Sequence, residues 1–479
     1  MVAELSEQAP SPEISAMKAV FHAQKAAFSA APMPAAAERK AHLRALKDAI
    51  IADREALADA VHADFGGRSR HETFAELLSS VQGIRYCMHH VKGWMRPDRR
   101  RSGLLMATTK SRVFYQPKGV VGVIVPWNYP LALSIGPLVS ALAAGNRVMV
   151  KMSEATPRTA ETLKATLSRV FGDDHVATIT GDVDVGIAFS RLPFDHLLFT
   201  GGTEIGRHIM RSAADNLTPV TLELGGKSPT LITDQVPMGL AAERICFGKA
   251  FNAGQTCVAP DYVLCPEDRV DEFVAEFRKA YEAMYPDPHG NVDYTCIVND
   301  RHHARLEGYL DDARARGANI IPLAAPNDTA SSDSRKMPLH LLTGVTGDMT
   351  VMQEEIFGPL LPIVTYSSLD EAIAFINARP RPLALNLFDM DKSRRREILE
   401  RTHSGGVCIN DAISHFIAED LPFGGIGDSG MGHYHAYEGF LTFSHHKAVF
   451  SRPRLNTAKV LYAPHGGWIQ KLIYKLFMR

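Results

Sequence analysis

The sequence predicts an α/β protein built from two parallel-sheet domains. Short β-branched runs alternate with segments of helical length over residues 120–224, and a second alternation begins after Gly226. Most of the runs are apolar at nearly every position, as strands buried on both faces of a parallel sheet must be. The 479 residues also leave room for two domains or more.

Residues 38–63 carry Leu43, Leu46, Ile50, Leu57 and Val61 at helical spacing and predict one amphipathic helix, and residues 71–95 predict a second. Strands follow at 120–125, 147–151, 176–180, 196–200 and 219–224, with helices at 131–144, 157–171, 183–190 and 203–215 between them. Units of this kind bind ligands at the carboxyl ends of their strands. Gly225, Gly226 and Pro229 interrupt regular structure within 223–229 and mark the domain boundary. Beyond it, helices are predicted at 239–251, 268–284, 300–316, 369–378 and 391–402, and strands at 258–264, 318–323, 361–366, 383–388 and 406–410. The Ala/Pro-rich residues 26–37 read as the one low-complexity stretch.

The tail GGWIQKLIYKLFMR, residues 466–479, sets Trp468, Ile469, Leu472, Ile473, Leu476 and Phe477 at helical spacing, with Gln470, Lys471, Lys475 and Arg479 mostly elsewhere. This predicts a short amphipathic helix. It is too short to span a bilayer. It either packs on its own subunit or a partner, or caps a substrate entrance or rests on a membrane surface.

Composition narrows the function classes. The chain is 46% hydrophobic and 22% charged, ordinary for a soluble globular enzyme. A net charge of -1 and a pI near 7.1 provide no basic stripe, so no nucleic-acid partner is expected. The six cysteines, Cys87, Cys246, Cys257, Cys265, Cys296 and Cys408, form no C-x-x-C pair, so neither a metal site nor a disulfide framework is expected. A reducing, cytoplasmic setting fits. MVAELSEQAP lacks the basic start and apolar core of a secretory signal.

Several segments carry candidate chemistry. In FNAGQTCVAP, residues 251–260, Gly254, Gln255 and Thr256 precede Cys257, whereas a structural cysteine normally hides among large apolar side chains. Such a thiol is a candidate nucleophile, provided something activates it. Glu223 ends an apolar strand, where a raised pKa would suit a general base; a solvent-facing strand end is the alternative. In VPWNYP, residues 125–130, the Asn128 amide is a candidate oxyanion donor, or part of a proline-fixed turn. FTGGTEIGR, residues 199–207, lets Gly201, Gly202 and Gly206 approach an anion at a helix N-terminus, although such a turn needs no ligand. Lys151 and Glu154 in VKMSEATP stand at the sheet's ligand edge, as ribose ligands or as a solvated charge pair. QEEIFGP adds Glu355 and Phe357, and LPFGGIGDSGMG, residues 421–432, is a Gly-rich loop long enough to be functional.

Taken in order along the chain, PWNYP, FTGGTEIG, LELGGKSP, FNAGQTCVAP, EEIFGP and LPFGGIGDSGMG resemble the NAD(P)-dependent aldehyde dehydrogenase superfamily. PFGGIGDSGMG with TFSHHKAV is similar to its class 3 branch, nearest to the bacterial coniferyl aldehyde dehydrogenase group. The resemblance implies a Rossmann-type cofactor domain over 1–104 and 119–224, a catalytic domain over 225–435, an oligomerisation arm over 105–118 and 436–455, and the tail over 456–479. It implies Cys257 as nucleophile, Glu223 as general base and Asn128 with the Cys257 N–H as oxyanion hole. NAD, with NADP possible, would be held by Trp127, Lys151, Glu154, Gly201, Gly202, Thr203, Gly206, Leu224, Glu355 and Phe357. The implied reaction oxidises a hydrophobic or aromatic aldehyde to its acid in a homodimer. A fatty-aldehyde enzyme, an acylating enzyme that uses coenzyme A and a non-catalytic binding protein are the alternatives. Two departures from the family pattern, Met152 where proline is frequent and Gly202 where serine is common, bear on cofactor preference.

Overall fold

The structure is a computed structural model that describes residues 11–103, 106, 108–324, 335–454 and 456–478. The N-terminal decapeptide, position 104, positions 105, 107 and 455 of the expected arm, residues 325–334 and Arg479 lie outside the described residues.

Three sheets organise the chain. The first has six strands in the order Gly430–Met431, Val220–Glu223, His196–Thr200, Val120–Ile124, Arg147–Lys151 and Val176–Ile179. Its last five run parallel, while Gly430–Met431 pairs antiparallel at the edge. Val121, Val123, Val148, Val150 and Leu198 are fully buried, as the apolar runs require. The second sheet runs Asn319–Pro322, His340–Thr343, Leu360–Tyr366, Tyr262–Pro266, Pro229–Ile232, Ala384–Phe388 and Gly406–Ile409, parallel except for its first strand. The third is a three-stranded antiparallel ribbon of Asp98–Arg100, Lys110–Pro117 and Ser444–Ser451.

Five elements differ from expectation. The helix predicted over 38–63 is two, Ala36–Ala52 and Arg54–Phe65. Asp53 caps the break and accepts a hydrogen bond from Thr166 Oγ1 at 2.6 Å, while the apolar stripe continues through it. Residues 12–30 form a helix, so the stretch read as low-complexity from 26 is helical up to Ala30. Alanine hides its periodicity: only Met17, Phe21 and Gln24 are buried. The strand expected from 258 begins at Tyr262, because Pro260 offers no N–H to a ladder. Strands Pro229–Ile232 and His340–Thr343 had no separate signal in the sequence.

The Gly-rich segment 421–432 is partly structural: its end, Gly430–Met431, covers the sheet edge beside Glu223. Asp98–Arg100, which the sequence places with the first domain, pairs instead with the ribbon strand Lys110–Pro117. The tail helix spans Trp468–Phe477 with Gln470 buried, not on the polar face. No helix among the described residues is long and apolar enough to cross a membrane.

Candidate functional site

The first sheet reverses its winding between Val120–Ile124 and His196–Thr200. The chain runs outward through 147–151 and 176–179, then returns to the other side of its first strand. A crevice opens at the carboxyl ends of strands where this happens. Trp127 and Asn128 follow one of these strands and Gly201 and Gly202 the other, so both motifs face the crevice.

The crevice is a long groove. It starts over Lys151, Glu154, Ile187 and Ile205. It continues past Trp127, Gly201, Leu224, Glu355 and Phe357 to Cys257. From the other side an apolar cavity lined by Leu133, Phe247, Phe251, Ile413, Phe416 and Phe423 also reaches Cys257. Cys257 and Glu223 line both spaces, and Asn128 joins them on the groove side.

A fastened turn holds Cys257. Asn252, Ala253 and Gly254 all take positive φ, at 51°, 50° and 71°. A Cβ at Gly254 would fall 2.4 Å from the Gly358 carbonyl oxygen, so only glycine fits. Gln255 Nε2 donates to the Asn252 and Cys296 carbonyls at 3.0 and 3.1 Å, and its Oε1 accepts from the Val298 N–H at 3.0 Å. Thr256 Oγ1 lies 2.7 Å from the Tyr129 hydroxyl. Cys257 is partly exposed, while the other five cysteines are buried.

Burial, then the Glu355 and Glu223 carboxylates, push the Cys257 thiol up to about 12, against the pull of the Cys257 and Val258 N–H groups. The neutral thiol is therefore the resting form, and each pH unit below that value costs a factor of about ten in thiolate. Iodoacetamide labelling of Cys257 in the free protein is expected to accelerate steadily from pH 7 to pH 10. A plateau below pH 9, read by peptide mass spectrometry, would contradict this.

Glu223 closes its strand opposite Thr200 and Gly430. It is 3% exposed, and neither carboxylate oxygen has a hydrogen-bond partner among the described residues. Burial raises its pKa well above the usual range. Asn128 is 2% exposed, and its Nδ2 donates to the Gln255 carbonyl at 3.1 Å. An amide nitrogen carries two protons, so a second remains for a ligand.

On the cofactor side, Gly202 caps the helix Thr203–Ala214 without a side chain, and a Cβ there would meet nothing within 4 Å. The first-turn N–H groups are thus open to an anion. Lys151 Nζ donates to the Met152 and Gly181 carbonyls, both at 2.8 Å, which leaves one proton free. Glu154 is exposed beside it. Glu355 rises to about 7 through burial and the nearby Asp261 charge. Phe357 takes φ 49° and meets the Trp127 ring edge-on at 5.3 Å. Thr203 and Gly206 stand behind the groove wall. The Thr203 hydroxyl donates to the Asp428 carbonyl at 3.1 Å, and a Cβ at Gly206 would fall 2.6 Å from Leu224 Cδ2. An anionic dinucleotide fits this groove, with the uncapped helix end for its phosphates and carboxylates at each end for ribose hydroxyls. Among the described residues, no group of three or more His, Cys, Asp or Glu side chains could hold a metal ion.

Sequence reasoning missed the scaffold behind these residues. Arg68 and Glu76 form a fully buried ion pair at 3.2 Å. Arg68 Nη1 donates to the Asn128 carbonyl at 2.6 Å. Glu76 Oε1 accepts from the Leu131 and Ala132 N–H groups, both at 2.8 Å, at the start of the helix Ala132–Ala144. Glu72 Oε1 accepts from the Asn252 N–H at 2.9 Å. One set of charges thus positions both the Asn128 turn and the Cys257 turn. The available signal was Glu72 and Glu76 one helical turn apart in a predicted helix.

Comparison with known proteins agrees with this geometry. The model of the aldehyde dehydrogenase family matches residues 5–449. A probable coniferyl aldehyde dehydrogenase of Pseudomonas aeruginosa is 56% identical over the full length of both chains. A Staphylococcus aureus AldH, solved in a substrate-bound state, superposes with a TM-score of 0.91 at 37% identity, covering 97% of this chain and 99% of its own. A betaine aldehyde dehydrogenase of the same organism, solved with NAD+, gives 0.82 at 29% identity over 91% of this chain and 88% of its own. The chain belongs to the aldehyde dehydrogenase family and is an oxidoreductase that uses a nicotinamide dinucleotide to oxidise an aldehyde to its carboxylic acid.

Proposed function

We propose that Cys257 is the nucleophile and Glu223 the general base in the oxidation of an apolar, aryl-bearing aldehyde of the coniferyl type. The observation that carries this reading is the position of both side chains on the wall shared by the groove and the apolar cavity. The Cys257 thiol gives its proton to solvent water, and the sulfur adds to the aldehyde carbon. The Asn128 Nδ2 and the Cys257 N–H donate to the oxyanion of the thiohemiacetal. A nicotinamide held beside Glu355 and Phe357 would supply the hydride acceptor, and loss of the hydride leaves Cys257 carrying a thioester. Glu223 takes a proton from water as that water adds to the thioester carbon. The carbon–sulfur bond then breaks and releases the acid. Phe247, Phe251, Phe416 and Phe423 around the cavity favour a ring over a polar chain, and the relatedness to a probable coniferyl aldehyde dehydrogenase points the same way.

NAD is the preferred cofactor in this reading, because the exposed Glu154 accepts from a ribose diol and repels a 2′-phosphate. Two unit charges about 4 Å apart repel by about 1 to 4 kcal/mol between water and surface-protein screening, enough for preference and not for exclusion. The test is kcat/KM for cinnamaldehyde, coniferyl aldehyde and hexanal with each cofactor. Aryl aldehydes with NAD are expected to lead. A lead for hexanal would overturn the substrate class, and a lead for NADP the role of Glu154.

The homodimer belongs to the same proposal. It is supported by the ribbon strand Ser444–Ser451, exposed from His445 to Ser451, with Phe450 at 53%. The tail helix leaves Trp468 75% and Leu476 62% exposed, an apolar face suited to a partner or to a lipid surface. Removing residues 466–479 is expected to abolish liposome binding while the dimer persists in size-exclusion chromatography. Loss of the dimer instead would make the tail an assembly element.

A further inference from the structure

A second, smaller chamber adjoins the apolar cavity. Ser79, Ala132, Phe416 and Tyr434 line both and form the partition. The chamber holds about 40 Å³, room for a small polar substituent and not for a ring. Its wall is mostly apolar, with the polar groups of Glu419, His435, Ser80 and Ser140 set into it beside the buried Cys87.

The packing makes space for the Glu419 carboxylate. A Cβ on Gly83, inside the helix Arg70–Trp94, would fall 2.9 Å from Glu419 Oε1 and 3.1 Å from Oε2. Glycine is a poor helix residue, and here its missing methyl is the room that the carboxylate occupies. Glu419 has no hydrogen bond or ion pair among the described residues, and burial alone raises it to about 7. Glu419 is half-buried, whereas His435 Nδ1 is buried without a partner among the described residues. Tyr434 is 2% exposed, and its phenol is raised by burial and by the charges of Glu223, Cys257 and Glu419 together. It therefore stands between the reacting wall and the chamber. The buried His435 Nδ1 is costly unless a ligand pairs it, and both oxygens of the half-buried Glu419 carboxylate are available to accept.

We propose that Glu419 is a substrate-recognition residue that accepts a hydrogen bond from a phenolic hydroxyl at the far end of an aryl aldehyde whose carbonyl carbon lies at Cys257. The ring fills the apolar cavity, and the hydroxyl passes Tyr434 into the chamber. His435 and the Tyr434 hydroxyl complete its polar shell. This rests on the reading of Cys257 as nucleophile and of the apolar cavity as the aldehyde's seat. A carboxylate on a phenol is a charge-assisted bond, and a site built for a hydroxyl discriminates strongly against the analogue that lacks it.

The experiment compares kcat/KM for 4-hydroxycinnamaldehyde, 4-methoxycinnamaldehyde, cinnamaldehyde and hexanal in the wild type, Glu419→Leu and Gly83→Ala, with NAD. The wild type is expected to favour the 4-hydroxy compound over cinnamaldehyde by about tenfold or more. Glu419→Leu should erase that preference through KM and leave cinnamaldehyde within about twofold, which also reports an intact fold. Gly83→Ala favours the helix but crowds the carboxylate, so it should shift the preference the same way. Equal use of the 4-hydroxy and unsubstituted compounds by the wild type, or an equal loss on both in Glu419→Leu, would overturn the role of Glu419 alone. Turnover of hexanal without either cinnamaldehyde would overturn the underlying aryl reading.

Discussion

Cys257→Ala is expected to lower kcat by about 10⁴-fold or more, with cofactor affinity and fold retained. The other five cysteines are buried, so none can replace the missing sulfur. The turn survives the change, because the Asn252 and Gln255 side chains fasten it and the cysteine side chain takes no part. NADH formation measures the loss, and quenching of Trp127 fluorescence measures cofactor binding. Substantial residual turnover with intact binding would remove Cys257 from the chemistry.

Glu223→Gln is expected to separate the two halves of the reaction. Neither oxygen of Glu223 has a hydrogen-bond partner among the described residues, and the substitution keeps its shape, so the fold has little to lose. Without a base the thioester should persist. The variant then gives a burst of about one NADH per site, followed by a steady state slower by about 10²- to 10⁴-fold. Burial raises the Glu223 pKa, so its proton-accepting form gains as pH increases. The steady-state rate of the wild type should therefore climb with pH, and the variant should lose that limb. A slow reaction without a burst would move Glu223 to the activation of Cys257.

Legibility in the sequence followed the kind of physical signal. The cofactor sheet was readable because its strands are apolar throughout and its helices periodic, and the helix Val183–Ser190 stands where the spacing puts it. The placement of Cys257, Glu223 and Asn128 was readable because glycine or proline lies close to each at the end of a regular element. The Arg68, Glu72 and Glu76 network was not, since charges on a helix ordinarily face water and only the folded chain shows them buried. Glu419 was hidden because its setting comes from Gly83, more than 300 residues away. The helix Pro12–Ala30 escaped because alanine carries no contrast between faces.

The pairing of Gly430–Met431 with Leu222 and Glu223 has a consequence for synthesis. The strand Val220–Glu223 leaves the ribosome with one edge bare, and its covering strand follows roughly 200 residues later, on the order of 10 to 40 s of elongation. During that interval the nascent chain carries an open hydrogen-bonding edge, a template for pairing with another chain. The wall around Glu223 is also incomplete, because Tyr434 and Phe423 have yet to arrive. The growing polypeptide thus carries an open sheet edge while the wall around Glu223 is still unassembled, and the same few late residues end both conditions.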